Sequence, residues 1–140
     1  MKKRQPVPGL FQNIIDASSL INIQRLHGKA GLEKIKDDIL IPRQIAEEVA
    51  FHPKVRKNDP LRKFVIENPT IVTDLQGDEE NEFYRLASEP GIDEGEAAAM
   101  AIALKRGWPL IIDERETKAT GKAKSLGIKT IHSRDFVKSK

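Results

Sequence analysis

The chain has no cysteine among its 140 residues. Disulfides and thiolate metal sites are therefore excluded, and a reducing cytoplasm is the natural setting for such a sequence. Histidine is nearly as scarce: His27, His52 and His132 fall on separate loop and strand ends, which argues against a histidine-built centre. No apolar run approaches the ~18 residues a membrane-spanning helix needs. Neither a Gly-rich phosphate loop nor a G-x-S-x-G nucleophile motif occurs. The opening residues MKKRQPVPGLFQ are basic but lead into no apolar stretch, so residues 1–12 read as a flexible basic lead-in rather than a secretory signal.

What is present suits one compact globular domain over residues 13–140. Apolar residues at 39% and charged residues at 32% favour a packed core over disorder. The net charge of +3 is mild, but its distribution is uneven. From Asp74 to Glu96 there are nine acids against one base, and from Arg115 to Lys140 eight bases against two acids. This reads either as two solvated faces of opposite sign or as a basic rim beside an acidic pocket.

Short apolar runs (NIID at 13–16, ILI at 39–41, PLIID at 109–113, IKTI at 128–131) alternate with helical patterns. That alternation predicts βαβ units and a three-layer α/β/α sandwich with a central, mainly parallel sheet. Expected helices follow Ser18 or Ser19 as cap, run through RQIAEEVA after Pro42, cover Glu79–Ala87, and occupy EGEAAAMAIALKR before Gly107. Gly28 and Gly31 are expected to break the first of these. A further strand is expected at Thr70–Val72, and the basic run RETKATGKAKS as a helix.

Two of the strand runs end in a carboxylate, Asp16 and Asp113, the latter followed by Glu114, and Asp16 before ASSL also suits a helix cap. The carboxyl ends of parallel strands open on one crevice, so these distant acids are expected to meet there. Glu48 competes with Glu47. With Ile45 and Val49 marking the buried stripe, Glu47 points directly away from it, while Glu48 lies about 80° from its centre and can reach over the sheet edge. Glu96 shares a column with Ala99, Met100 and Ala103 on a helix apolar nearly all round, which carries its carboxylate toward a packed site. Asp93 and Glu96 also have capping-box spacing, a competing use of the same residue. Ser18 adds a hydroxyl to the crevice or serves as a plain cap. Converging carboxylates repel one another. A divalent cation with a taste for hard oxygen donors, Mg²⁺ or Mn²⁺, would turn that repulsion into a site.

The blocks IIDASSLINI, IPRQIAEEVA and GIDEGEAAAMAIALKRGWPLIIDERETKATGKAKSLGIKTI resemble the signature blocks of PIN-domain proteins, most closely the VapC-like branch. The resemblance implies a Mg²⁺- or Mn²⁺-dependent endoribonuclease, often a homodimer and commonly the toxin partner of an antitoxin. It places the catalytic acids at Asp16, Glu48, Glu96 and Asp113, with Asp16, Glu96 and Asp113 or Glu114 as metal ligands. Relatives often carry Thr or Ser just before the fourth acid, where this chain has Ile111 and Ile112. The choice between Asp113 and Glu114, and between one ion and two, therefore stays open. Ser18, Arg115, Lys118 and Lys122 are the expected RNA contacts. Two other readings compete: a catalytically weak PIN-like module that binds RNA or a partner, and a phosphatase built on Asp16. Such phosphatases usually carry a second aspartate two residues on, where this chain has Ser18.

Overall fold

The computed structural model describes residues 12–113 and 118–140. In chain order the elements are β1 (Asn13–Ile15), α1 (Ala17–Ile35), β2 (Ile39–Pro42), α2 (Arg43–Ala46), α3 (Pro60–Glu67), β3 (Val72–Thr73), α4 (Asp78–Ala87), α5 (Glu94–Arg106), β4 (Leu110–Ile111), α6 (Lys118–Ser125), β5 (Thr130–Ile131) and α7 (Ser133–Lys138). The five strands form one parallel sheet in the order β3-β2-β1-β4-β5. The register pairs Ile14 with Leu40 on one side and with Leu110 on the other. α1 packs against α3 and α7, while α5 packs against α4, α6 and the central strands, giving the expected three layers.

Burial explains why these runs are strands and helices. Ile14, Ile15, Ile39, Ile41, Leu110 and Ile111 are all sealed from solvent, as strands covered on both faces require. α5 is buried from Ala97 through Ala103, and its run of alanines lets the helix axis lie close to the sheet. Gly107 ends α5 in the left-handed conformation (φ 73°), where a side chain would be strained.

Several local expectations need correction. Asp16, not Ser18 or Ser19, caps α1, because its carboxylate accepts the Ser19 amide. The first helix is interrupted at Gly28 (φ 63°) only. Gly31 stays helical and serves close packing, since a Cβ there would lie 2.4 Å from His27 Cβ. The third strand sits at Val72–Thr73, after a 3₁₀ turn over Pro69–Ile71. α7 was not foreseen; His132 caps it through Nδ1, 3.1 Å from the Arg134 amide, and Phe136 and Val137 bury their side chains. No helix among the described residues is long and apolar enough to cross a membrane.

The acidic stretch from Asp74 to Glu96 is in part a solvated face, with Asp78, Glu80 and Glu94 exposed, and in part a set of ion pairs. Glu79 is buried against Arg106 at 2.7 Å, and buried Glu82 pairs with Arg85. Asp74 pairs with Arg43 at 2.8 Å and Glu89 with Lys122 at 2.9 Å. Much of this acid run therefore ties α4 and its neighbours to the rest of the molecule.

Candidate active site

The strand order reverses between β1 and β4, since the chain builds outward through β2 and β3 before returning to the other side of β1. At such a point the flanking connections diverge and leave a crevice beyond the strand ends. Asp16 and Asp113 follow β1 and β4 respectively, and the Asp16 amide is held by the Ile111 carbonyl at 3.1 Å.

Asp16 is 3% exposed. Its Oδ1 accepts from the Ser19 amide at 3.0 Å, and the Ser18 hydroxyl lies 3.1 Å and 3.0 Å from its two oxygens. Burial pushes its pKa up, the hydrogen bonds from Ser19 and Ser18 pull it partway back, and the neighbouring Asp113 charge adds to the rise. The result is a carboxyl raised to about 6.

Asp113 has the opposite setting. Its oxygens accept from Ser19 Oγ at 3.0 Å, Asn22 Nδ2 at 2.8 Å, the Ser133 amide at 2.7 Å and the Ser133 hydroxyl at 2.5 Å. Burial again opposes ionisation, but the donors from Asn22, Ser133 and Ser19 outweigh it and hold the pKa below the usual aspartate value. A carboxylate offers about four acceptor positions, so these four donors take up its capacity. Ser19, fully buried, joins the two acids: its amide serves Asp16 and its hydroxyl serves Asp113.

The remaining acids approach from α2 and α5. α2 continues into a π-helical turn, Glu47–Phe51, a wider turn of the kind often found at functional sites. Glu48 on that turn has its pKa raised by partial burial, then by the nearby Asp93 carboxylate, with His52 opposing. Gly95 makes the approach possible, because a Cβ there would sit 3.1 Å from Ile45 Cγ1 and 3.4 Å from Glu48 Oε1. Glu96 closes a capping box, its Oε1 accepting the Asp93 amide at 3.0 Å while its own amide donates to Asp93 at 2.8 Å. The competing use expected for Glu96 therefore holds, and the residue still faces the site.

These groups line one cavity of about 160 Å³ whose walls include Asp16, Ser18, Glu48, Asp93, Gly95 and Glu96. Three of the expected acids thus meet around one space, and Asp93 joins them. Asp113 lines a neighbouring recess of about 130 Å³ with Asn22, His132 and Ser133. Glu47 borders only the wider groove outside, as its angle to the buried stripe implies. Glu114 and Arg115 lie outside the described residues. The stem of Lys118 packs at the Gly91 turn, and Lys122 is paired with Glu89, so neither borders the cavity.

The donor set is hard oxygen throughout, which fits Mg²⁺ or Mn²⁺. Among the described residues no three His, Asp or Glu side chains are grouped closely enough to cage an ion. An ion bound there would rest on one or two carboxylates, with waters and substrate phosphate completing its shell. Asp16 fits such a role, being a buried acid with no basic partner among the described residues.

Ser19, Asn22 and Ser133 escaped the sequence reading as site residues. Ser19 and Asn22 are three apart on one face of α1, a polar pair toward the protein interior, and that spacing was the available signal. Ser133 carried none, because its partner Asp113 lies 20 residues away on a different strand end.

Fold and site together define a parallel α/β protein with an acidic crevice at the switch point of its sheet. The chain belongs to the PIN-domain family, whose model matches residues 12–132. PIN domains are generally nucleases, a class of hydrolase. No curated protein matches the chain.

Proposed function

We propose that this protein is a Mg²⁺- or Mn²⁺-dependent endoribonuclease of the VapC-like kind. The observation that carries the reading is Asp16: a buried carboxylate at the switch point, raised to about 6, with Glu48, Asp93 and Glu96 around the same cavity. A divalent ion, when bound, supplies Lewis acidity and offsets charge on the phosphodiester. Asp16 and Glu96 would hold it. Glu48, whose pKa is raised, is placed to accept a proton from the attacking water. Ser18 orients Asp16 through its hydroxyl.

With its acceptor positions occupied, Asp113 acts in this proposal as a positioning residue, fixing Ser19 and hence Asp16. Glu114 remains the alternative fourth acid. The same proposal includes Arg115, Lys118 and Lys122 as contacts to the RNA backbone, the latter two after release from the Glu89–Gly91 turn. It also includes a homodimer and an antitoxin partner, drawn from the resemblance, and a cytoplasmic setting, drawn from the lack of cysteine. Occupation of Asp113 is the observation that favours the second reading, a weakly active RNA-binding module.

Titration of Mg²⁺ and Mn²⁺ against cleavage of single-stranded RNA tests the assignment. Metal-dependent cutting is expected from the native chain, and cutting slower by on the order of 100-fold or more from Asp16→Asn. Full Mg²⁺-dependent cleavage by Asp16→Asn would overturn it.

A further inference from the structure

A second cavity opens directly from the carboxylate site and holds features that phosphodiester hydrolysis does not use. It has a volume of about 660 Å³ and shares Glu48, Asp93 and Gly95 with the inner cavity. Gln44, Glu47, Phe51, His52, Pro53 and Glu94 complete its walls.

Three properties define what could fill it. Phe51, at the end of the π-helical turn, leaves 43% of its surface in water beside the site. A single exposed apolar side chain needs no explanation by itself. An aromatic face bordering a nuclease cavity is, however, the surface on which unpaired bases stack. The Oε1 atom of Gln44 is buried and has no hydrogen-bond donor among the described residues. A turn of this half-buried side chain toward the groove would let it accept from a ligand that brings a donor. The carboxylates of Glu47, Glu48, Asp93 and Glu94 then make the lining rich in acceptors and negative in charge. A phosphate is repelled from such a groove, whereas a flat, neutral ring with amino hydrogens is welcome.

We infer that this groove is a nucleobase subsite for single-stranded RNA. It takes the base next to the cleaved bond, stacks it on Phe51, and favours amino-bearing bases over uracil. Cytosine and adenine each present an exocyclic NH₂, which carboxylate and amide oxygens accept, while uracil presents a carbonyl oxygen in the place of the cytosine amino group. The inference rests on the nuclease reading for its substrate, since the phosphate must lie in the inner cavity for a base to reach the outer one.

The test measures equilibrium binding of labelled short oligocytidine and oligouridine in Mg²⁺, using the full chain carrying Asp16→Asn so that cutting is slowed. Oligocytidine is expected to bind about tenfold more tightly than oligouridine, the scale of one good base contact. In the same background Phe51→Ala should weaken oligocytidine binding about tenfold, as loss of one stacked base implies. Phe51→Trp should restore binding, and Gln44→Ala should narrow the gap between the two oligomers. Equal affinity for the two oligomers overturns the inference. So does a Phe51→Ala chain with native circular dichroism that binds oligocytidine as well as its parent. Cleavage is scored separately, with native chain, Mg²⁺ and mixed-sequence RNA. Absence of cutting there, with base selection intact, defeats the nuclease reading and leaves the groove supported only as a base-binding site.

Discussion

Asp16 and Asp113 stand at the ends of neighbouring parallel strands, share Ser19, and titrate in opposite directions. Asp16 is sealed in with two serine partners, and burial prevails, so its pKa is raised to about 6. Asp113 receives donors from Asn22, Ser133 and Ser19, and they prevail over burial. The lesson is that strand-end position places a carboxylate, while the count of donors around it decides whether its charge is satisfied. An acid that burial leaves short of partners has a use for a cation; one with every acceptor taken is part of the frame.

The largest expected effect comes from breaking the frame. Asp113→Ala strands Ser19, Asn22 and the Ser133 amide and hydroxyl, and should destabilise the fold by about 4 kcal/mol in urea unfolding. If the loss were under about 1 kcal/mol, the contrast between the two acids would be wrong. Because the folded pKa of Asp113 is depressed, its stabilisation is present above the unfolded value of 3.8 and is lost as pH falls through the folded pKa.

Asp16→Asn should act in the reverse sense on stability. The folded pKa of Asp16 lies above its unfolded value of 3.8, so the native state holds the extra proton between about pH 4 and 6. Its contribution is therefore favourable at low pH and is lost as pH rises through about 6. At pH 8 without metal, Asp16→Asn should gain about 3 kcal/mol over the native chain, at 1.36 kcal/mol per pKa unit. Asn keeps the helix cap, which leaves charge as the variable. The same substitution should lower RNA cleavage by on the order of 100-fold or more. Adding Mg²⁺ should raise the Tm of the native chain and not that of the variant. A native chain whose stability rises between pH 4 and 6 relative to Asp16→Asn would reverse the assignment.

Ser19→Ala should cost about 1–2 kcal/mol, and a double-mutant cycle with Asp113→Ala should be non-additive, because the two share one hydrogen bond. The smallest stability effect is expected at Gly95. Replacement by Ala gains helix propensity of about 1 kcal/mol. Against that, the new Cβ meets Ile45 at 3.1 Å and Glu48 at 3.4 Å. Net stability should move by less than about 1 kcal/mol, while cleavage falls severalfold as Glu48 is displaced. Unchanged kcat/KM in Gly95→Ala would remove Glu48 from the site.

Legibility in the sequence followed the range of each interaction. The parallel α/β sandwich was readable because Ile14-Ile15, Ile39–Ile41 and Leu110–Ile112 are apolar without alternation and lie between helical patterns. Glu48 was separable from Glu47 by its angle to Ile45 and Val49, a property of five consecutive residues. The capping box of Asp93 and Glu96 was readable for the same reason. α7 was not, since SRDFVK is too short to show a helical period and is fixed by packing on α1. The π-helical turn that carries Glu48 also left no mark, because RQIAEEVA reads as ordinary helix until the turn widens. Nor did Glu79 and Glu82 announce themselves as buried; their partners Arg106 and Arg85 decide that.

By itself, the sequence determined the class of fold, the strand ends that carry Asp16 and Asp113, and the helix that carries Glu96, because apolar period and capping chemistry act over a few residues. Only the tertiary structure decided which acids share a cavity, which of the two strand-end aspartates is satisfied, and that Asp93 belongs with them. Those outcomes depend on donors and dielectric supplied by elements as many as 94 residues apart, as Ser19 and Asp113 are, and no local pattern encodes them.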